Sequence, residues 1–292
     1  MWDFLVIPFA LWQQDQFIMM AILIAAISLM IGSFLNVVIY RLPLMMENAE
    51  KAEAREVLAL AAEPAKPFNL ATPSSTCPHC HTPIRFWQNI PVLSFLFLRG
   101  RCAYCKTAIS WRYPAIELLT LLAAIVVVMQ TSSLLQTIPL LLLTYVFIAL
   151  MMIDYDHYLL PDQLTLPLLW AGLLLNSQGV LVSLQAALWG AVCGYLSLWS
   201  VFWLFKLITG KEGMGYGDFK LLAVCGAWFG ALSLPNTILL SSVVGAFWGV
   251  LLIVAFKREQ QKPMPFGPFL ILAAWLGYFF PAWFNLTQWL AF

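Results

Sequence analysis

The run Leu140-Leu-Leu-Leu-Thr-Tyr-Val-Phe-Ile-Ala-Leu-Met-Met-Ile-Asp154 decides the class of fold, because it is apolar, free of charge and stops on a carboxylate. About 20 apolar residues in a helix cross a bilayer, and the stretch extends back to residue 134 without a charged side chain. An acid at the end of a membrane span is expensive, so it marks a functional site by default. A second acid stands in a comparable place: Gly213-Met-Gly-Tyr-Gly-Asp218 is a glycine-spaced turn opening onto the next apolar stretch. If Asp154 and Asp218 meet, they form an acid/base pair able to activate water.

The rest of the chain has the same character. Of its 292 residues 62% are hydrophobic and 10% charged, whereas a soluble domain carries roughly 25% charged residues. The expected fold is an all-α polytopic membrane protein. Candidate spans cover 17–40, 114–131, 134–154, 163–177, 182–208, 218–233, 235–256 and 267–285, about eight transmembrane helices in all. Residues 1–16, with Trp2, Phe4, Phe9 and Trp12, read as an interfacial segment. They hold no Lys, no Arg and no small-residue cleavage site, so no secretory signal peptide is expected. Residues 41–113 form a loop domain between the first two spans, and residues 114–292 a helical membrane core.

Positive charge orients the chain. Nine of the 15 Lys and Arg lie in the long loop (Arg41, Lys51, Arg55, Lys66, Arg85, Arg99, Arg101, Lys106 and Arg112). The others are Lys206, Lys211, Lys220, Lys257, Arg258 and Lys262, all on the same side of an eight-span arrangement. The positive-inside rule then puts the long loop and both aspartate turns in the cytoplasm, and both termini outside. A net charge of +1 without a basic tail gives no reason to expect a nucleic-acid partner.

Within the long loop, Cys77-Pro-His-Cys80 and Cys102-Ala-Tyr-Cys105 form two C-x2-C pairs. Thiolates so spaced wrap one tetrahedral Zn²⁺, and a reducing cytoplasmic loop argues against disulfides. Four thiolates leave no open position for a catalytic water, so the zinc is expected to be structural. His79, inside the first pair, reads as a surface residue. The Ala- and Glu-rich stretch from Glu47 to Pro64 reads as a solvated helix, and Cys193 and Cys225 as buried packing residues inside spans.

Other acids beside the spans have blander readings. Asp162 after Pro161 reads as a helix N-cap, Asp156 and His157 as solvated turn residues, and Glu117 as a partner of Arg112 or Lys106. Gly213, Gly215 and Gly217 are expected to permit positive φ and the close approach of another chain. The helix dipole favours a charged Asp218 at a helix start and disfavours one at Asp154, at a helix end. Asp218 is therefore expected to act as the base and Asp154 as the protonated partner.

Taken together, Gly32-Ser-Phe-Leu-Asn36 through Arg41-Leu-Pro43, the tetracysteine loop, Ile153-Asp154 with Leu160-Pro161-Asp162, Gly213 through Lys220 and Pro265-Phe-Gly-Pro268 closely resemble type IV prepilin peptidases. These are the bifunctional leader peptidase/N-methyltransferases of pilus and type II secretion systems. The resemblance implies a GxGD-type membrane aspartic protease of the bacterial inner membrane with Asp154 and Asp218 as catalytic residues. It implies cleavage of a basic leader from type IV prepilins and type II secretion pseudopilins at a Gly-Phe bond. It also implies methylation of the new N-terminus from S-adenosylmethionine. The acids Asp154, Asp156, Asp162 and Glu212 would attract a basic leader, and Gly213, Gly215 and Gly217 would line the extended substrate. No G-x-G-x-x-G unit is present for the methyl donor, and Gly100 and Arg101 are loose candidates for its site. A proton- or ion-coupled transporter using the same carboxylates is the rival reading; against it, the chain shows no internal repeat and its acids lie at span ends. The number of subunits is left open.

Overall fold

The computed structural model describes residues 7–60, 67–211, 213–256 and 264–284. Trp2, Phe4, Glu212 and the cations Lys66, Lys257, Arg258 and Lys262 lie outside the described residues. The described chain is helical without a strand; its only β pairing is two isolated bridges, Thr76 with Pro83 and Arg101 with Ala108. It divides into two compact units, Ile7–Ser132 and the part from Ser133 onward.

The first unit holds α1 (Gln14–Val57), α2 (Leu93–Phe97) and α3 (Arg112–Gln130). At about 1.5 Å per residue, α1 is far longer than a bilayer is thick. The expected span and the expected solvated helix are thus one rod, continuous through Pro43. Asn36 Nδ2 donates to the Gly32 and Tyr113 carbonyls at 3.2 and 3.3 Å, setting the middle of α1 beside the start of α3. One turn on, the buried Arg41 donates to the carbonyls of Asn69 (2.9 Å) and Pro73 (2.7 Å) and lies 5.7 Å from the Phe68 ring. It ties down the chain that leads to the cysteines. The helix α3, expected at the head of the membrane core, packs along α1 and belongs to this first unit.

The second unit holds α4 (Leu134–His157), α5 (Asp162–Asn176), α6 (Leu184–Thr209), α7 (Tyr216–Phe229), α8 (Leu234–Phe256), α9 (Gly267–Phe279) and α10 (Pro281–Phe284). Its axis is α7, where Phe219, Leu221, Leu222, Val224, Cys225 and Ala227 have no exposed surface. Close approach replaces the hydrophobic effect as the packing device in lipid. On α6, Gly190-x-x-x-Gly194 lets the backbone of α7 come within contact at Gly226 and Leu222. From α5, Asn176 Nδ2 donates to the Ala227 carbonyl at 2.9 Å, and Trp228 Nε1 donates back to the Leu168 carbonyl at 2.8 Å. Trp275 Nε1 on α9 donates to Thr144 Oγ1 on α4 at 3.0 Å. Cys225 is buried as expected, but Cys193 is exposed on α6, where its small side chain faces outward.

Among the described residues, five helical segments are long and apolar enough to cross a membrane: Gln14–Val57, Arg112–Gln130, Leu134–His157, Leu184–Thr209 and Ala231–Leu252. The other expected spans are helices too, but α5, α7 and α9 have only 15, 14 and 13 residues. Such helices measure about 20–23 Å at about 1.5 Å per residue. The two acids lie on helices of the second unit that pack against α9, the long α4 and the short α7.

Candidate active site and metal centre

Asp154 is buried in the last turn of α4. That helix ends at Tyr158, which takes a left-handed conformation (φ 56°) and returns its N–H to the Asp154 carbonyl at 2.9 Å. Asp156 and His157 are therefore helical, not part of the turn. The Asp154 carboxylate accepts the backbone N–H of Gly267 at 3.0 Å, at the start of α9. That N–H belongs to the unsatisfied donors of a helix N-terminus, and it offsets the unfavourable dipole of α4 at its end. A Cβ on Gly267 would stand 2.6 Å from Asp154 Oδ2, so a side chain there would displace the carboxylate or the start of α9.

Asp218 is buried in the first turn of α7. The backbone of Gly215 precedes the helix in an extended conformation (φ −80°, ψ 148°) and directs its N–H at the Asp218 carboxylate. Gly217 is already helical. The expectation of positive φ thus fails at Gly215 and Gly217, and the requirement at Gly217 is one of space. A Cβ there would lie 2.9 Å from Leu160 Cβ, while at Gly215 it would meet nothing closer than Asp218 Oδ2 at 3.8 Å. A Cβ on Gly213 would meet the Phe205 ring at 2.9 Å.

Leu160 organises the locus. It follows α4, packs under Gly217 at the start of α7, and lies 3.4 Å from the Cβ position of Gly267 at the start of α9. The end of one helix and the starts of two others converge on it, and the Asp218 carboxylate feels that of Asp154 through space. Asp162 is not the cap of α5: Pro161 holds that position, and Asp162 accepts two 2.7 Å hydrogen bonds from Lys220 Nζ. This ion pair joins the first turns of α5 and α7. Sequence reasoning overlooked Gly267 as a donor.

Glu117 is also placed differently from expectation. It is buried in the first unit and accepts the Val92 N–H at 2.7 Å, with Ser33 as a second donor, rather than pairing with Arg112 or Lys106. Val92 has φ 58° and ψ −48° and sits at the centre of a γ-turn from the Pro91 carbonyl to the Leu93 N–H. A β-branched residue is strained there and stays only where its surroundings hold it.

Cys77, Cys80, Cys102 and Cys105 come together, with all four Sγ atoms within 4.8 Å of one another. The Cys77 and Cys105 sulfurs are 3.8 Å apart and all four thiols are free. The chain reaches this arrangement through a repeat offset by 25 residues, which corrects the expectation of none: Cys77-x-x-Cys80-x-Thr-x-Ile84 and Cys102-x-x-Cys105-x-Thr-x-Ile109. In the first copy the Cys77 N–H donates to the Thr82 carbonyl (3.0 Å) and the His81 N–H to the Cys77 carbonyl (2.9 Å). In the second the Cys102 N–H donates to Thr107 (2.8 Å) and the Lys106 N–H to Cys102 (3.1 Å). His81 and Lys106 both adopt positive φ, at 54° and 60°. The hydroxyls of Thr82 and Thr107 hold the Cys80 and Cys105 thiols below their usual range, and the backbone N–H groups of Cys105 and Tyr104 do so for Cys102. This donor set fits a tetrahedral thiolate-bound ion.

Sequence comparison places the chain among known families. Residues 26–131 match the bacterial peptidase A24 N-terminal domain, and residues 141–250 the type IV leader peptidase family. The prepilin leader peptidase/N-methyltransferase of Stutzerimonas stutzeri is 57% identical over 86% of this chain and 87% of its own. That of Aeromonas hydrophila is 54% identical over 91% and 92%, and that of Dichelobacter nodosus 50% over 87% and 90%. No solved structure matches the chain. With two family models matched and relatives this similar over nearly their whole length, the chain belongs to the type IV leader peptidase family, among the prepilin leader peptidase/N-methyltransferases.

Proposed function

We propose that this protein is a membrane-embedded aspartic endopeptidase that removes the leader from prepilins and pseudopilins, and that Asp154 and Asp218 are its catalytic residues. The observation that carries the assignment is the convergence of two buried carboxylates at the ends of α4 and α7, each with one backbone N–H directed at it. Family membership removes the transporter reading. In this reaction one carboxylate takes a proton from water as the oxygen attacks the scissile carbonyl, and the protonated partner donates to the carbonyl oxygen. Collapse of the tetrahedral adduct returns a proton to the leaving amine and restores the pair. Two carboxylates that feel each other through space resist double ionisation, which suits a pair sharing one proton. The helix dipoles favour Asp218, at a helix start, as the base.

The substrate class follows from the same locus. A prepilin with a basic leader and an apolar helix presents its Gly-Phe junction where apolar span meets aqueous phase, the level at which α4 ends. By the positive-inside argument that level is the cytoplasmic face of the inner membrane, with α5, α7 and α9 completing an eight-helix arrangement. Asp156 and Asp162 add negative charge for the leader.

The second activity is N-methylation of the new N-terminal residue. S-adenosylmethionine, when bound, supplies the methyl group; the described residues contain no strand, so they hold it on no Rossmann-type unit. Cys77, Cys80, Cys102 and Cys105 would hold one Zn²⁺, which cross-links a lobe with too little apolar mass to fold unaided.

Incubating the purified full-length protein in lipid with a full-length prepilin and radiolabelled methyl donor tests the proposal. A shortened product carrying label at its N-terminus is expected. An uncut substrate would refute the peptidase assignment, and a cut but unlabelled product would refute the methyltransferase half.

A further inference from the structure

The tetracysteine lobe carries an exposed face that is both apolar and basic. The short helix α2 exposes Leu93, Leu96 and Phe97, with Phe97 84% exposed. Beside it, Phe97, Leu98, Arg99, Arg101 and Lys106 line an open cleft of about 490 Å³. No Asp or Glu occurs anywhere from Pro67 to Ile116, while Arg85, Arg99, Arg101, Lys106 and Arg112 all do. Four thiolates around a divalent ion contribute two negative charges, so five cations leave the lobe positive.

The position of this face is set by two contacts. The Val92 N–H, immediately before α2, is held by Glu117 at 2.7 Å, and Glu117 lies within the first two turns of α3, a helix long and apolar enough to cross the membrane. The Phe95 ring of α2 meets the Trp111 ring at 4.7 Å, directly before α3. The apolar tips and the cations thus stand at the level where α3 starts, the level at which a span meets the headgroups. Trp111 itself is 75% exposed there, as interfacial tryptophans are.

We propose that α2 and the Arg99–Arg101–Lys106 cleft form a docking surface for anionic phospholipid headgroups, with Leu93, Leu96 and Phe97 entering the acyl boundary. Apolar side chains backed by clustered Lys and Arg are what an anionic leaflet binds. The same charge excludes the other occupants that this enzyme would bring near. A basic leader is repelled, and so is the sulfonium of the methyl donor.

The full-length protein, one copy per nanodisc, is compared in phosphatidylcholine alone and in phosphatidylcholine mixed with phosphatidylglycerol, reading amide hydrogen exchange over residues 85–106. Exchange in the anionic discs is expected to be roughly tenfold slower and to return to the neutral-lipid rate in high salt. The R99Q/R101Q variant is expected to lose this difference while keeping its zinc and the exchange pattern of α1. Should that variant lose its metal, the lipid and salt comparison of the unaltered protein decides. Equal exchange in the two lipids, protection that survives in metal-bound R99Q/R101Q, or protection appearing only with two copies per disc would each overturn the proposal.

Discussion

Gly267 and Asp154 form the contact on which the proposed chemistry most depends at the residue scale. The amide that steadies Asp154 comes from a position where a methyl group would stand 2.6 Å from the carboxylate. Gly267→Ala must therefore displace Asp154 or the start of α9, and a displacement near 1 Å in a catalytic group costs about 10²-fold in rate. Prepilin cleavage by Gly267→Ala is expected to fall by about that factor. Gly215→Ala, in extended backbone with open space, is expected to stay within about threefold of the parent, since surface changes without a clash usually cost under about 0.5 kcal/mol. Steady-state cleavage assays on the two variants check the contrast, and equal losses would contradict the steric account. The two aspartates, both buried at helix ends, stood out in the sequence because charge is so rare in the apolar runs. The donor did not, because a glycine's N–H leaves no side-chain signal and Gly267 is 113 residues from Asp154.

At the scale of elements, the γ-turn at Val92 and its tether to Glu117 set the attitude of α2 against α3. Two variants separate strain from tether. Val92→Gly relieves a conformation that costs about 1–3 kcal/mol, offset by the greater entropy of an unfolded glycine, so stability should change little. Glu117→Ala leaves the half-buried Val92 N–H without its acceptor, a loss of about 1 kcal/mol, and should loosen the lobe. Limited proteolysis between residues 67 and 111 reads both. A nick appearing faster in Val92→Gly than in Glu117→Ala would invert the account. Helix existence was well signalled by apolar runs, and each of the eight expected spans has its helix. The length of α5 was legible too, but those of α7 and α9 were not, because these helices end at Phe229 and Phe279 while apolar sequence continues beyond them. Nor did local sequence show that Glu47 continues the first span, because a proline at position 43 argues for a break that α1 does not make.

For the whole molecule, the two candidate sites fall in separate compact units. Asp154, Leu160, Gly215, Asp218 and Gly267 all lie beyond Ser133, and the four cysteines all lie before it. Stripping the metal with a chelator is thus expected to release about one zinc per chain and to expose residues 67–111 to protease. Peptidase activity on a prepilin is expected to persist. Inductively coupled plasma analysis with a cleavage assay on the same sample checks this, and loss of cleavage in step with zinc would show that the lobe supports the aspartate site. The 25-residue repeat in the lobe was readable in principle, through matched Cys, Thr and Ile, but eight residues of mixed identity stand out only once their hydrogen bonds coincide.

The central claim is that Asp154 and Asp218 act as one unit. Groups that do so are grossly non-additive when removed. Single-turnover cleavage of a full-length prepilin by Asp154→Asn, Asp218→Asn and the double variant, each shown to be folded by its zinc content and thermal unfolding, measures this directly. Each single variant should lose cleavage by at least about 10³-fold, and the double variant should be no slower than either. A single variant retaining a tenth of the parent rate, or two losses that multiply in the double variant, would contradict the pairing.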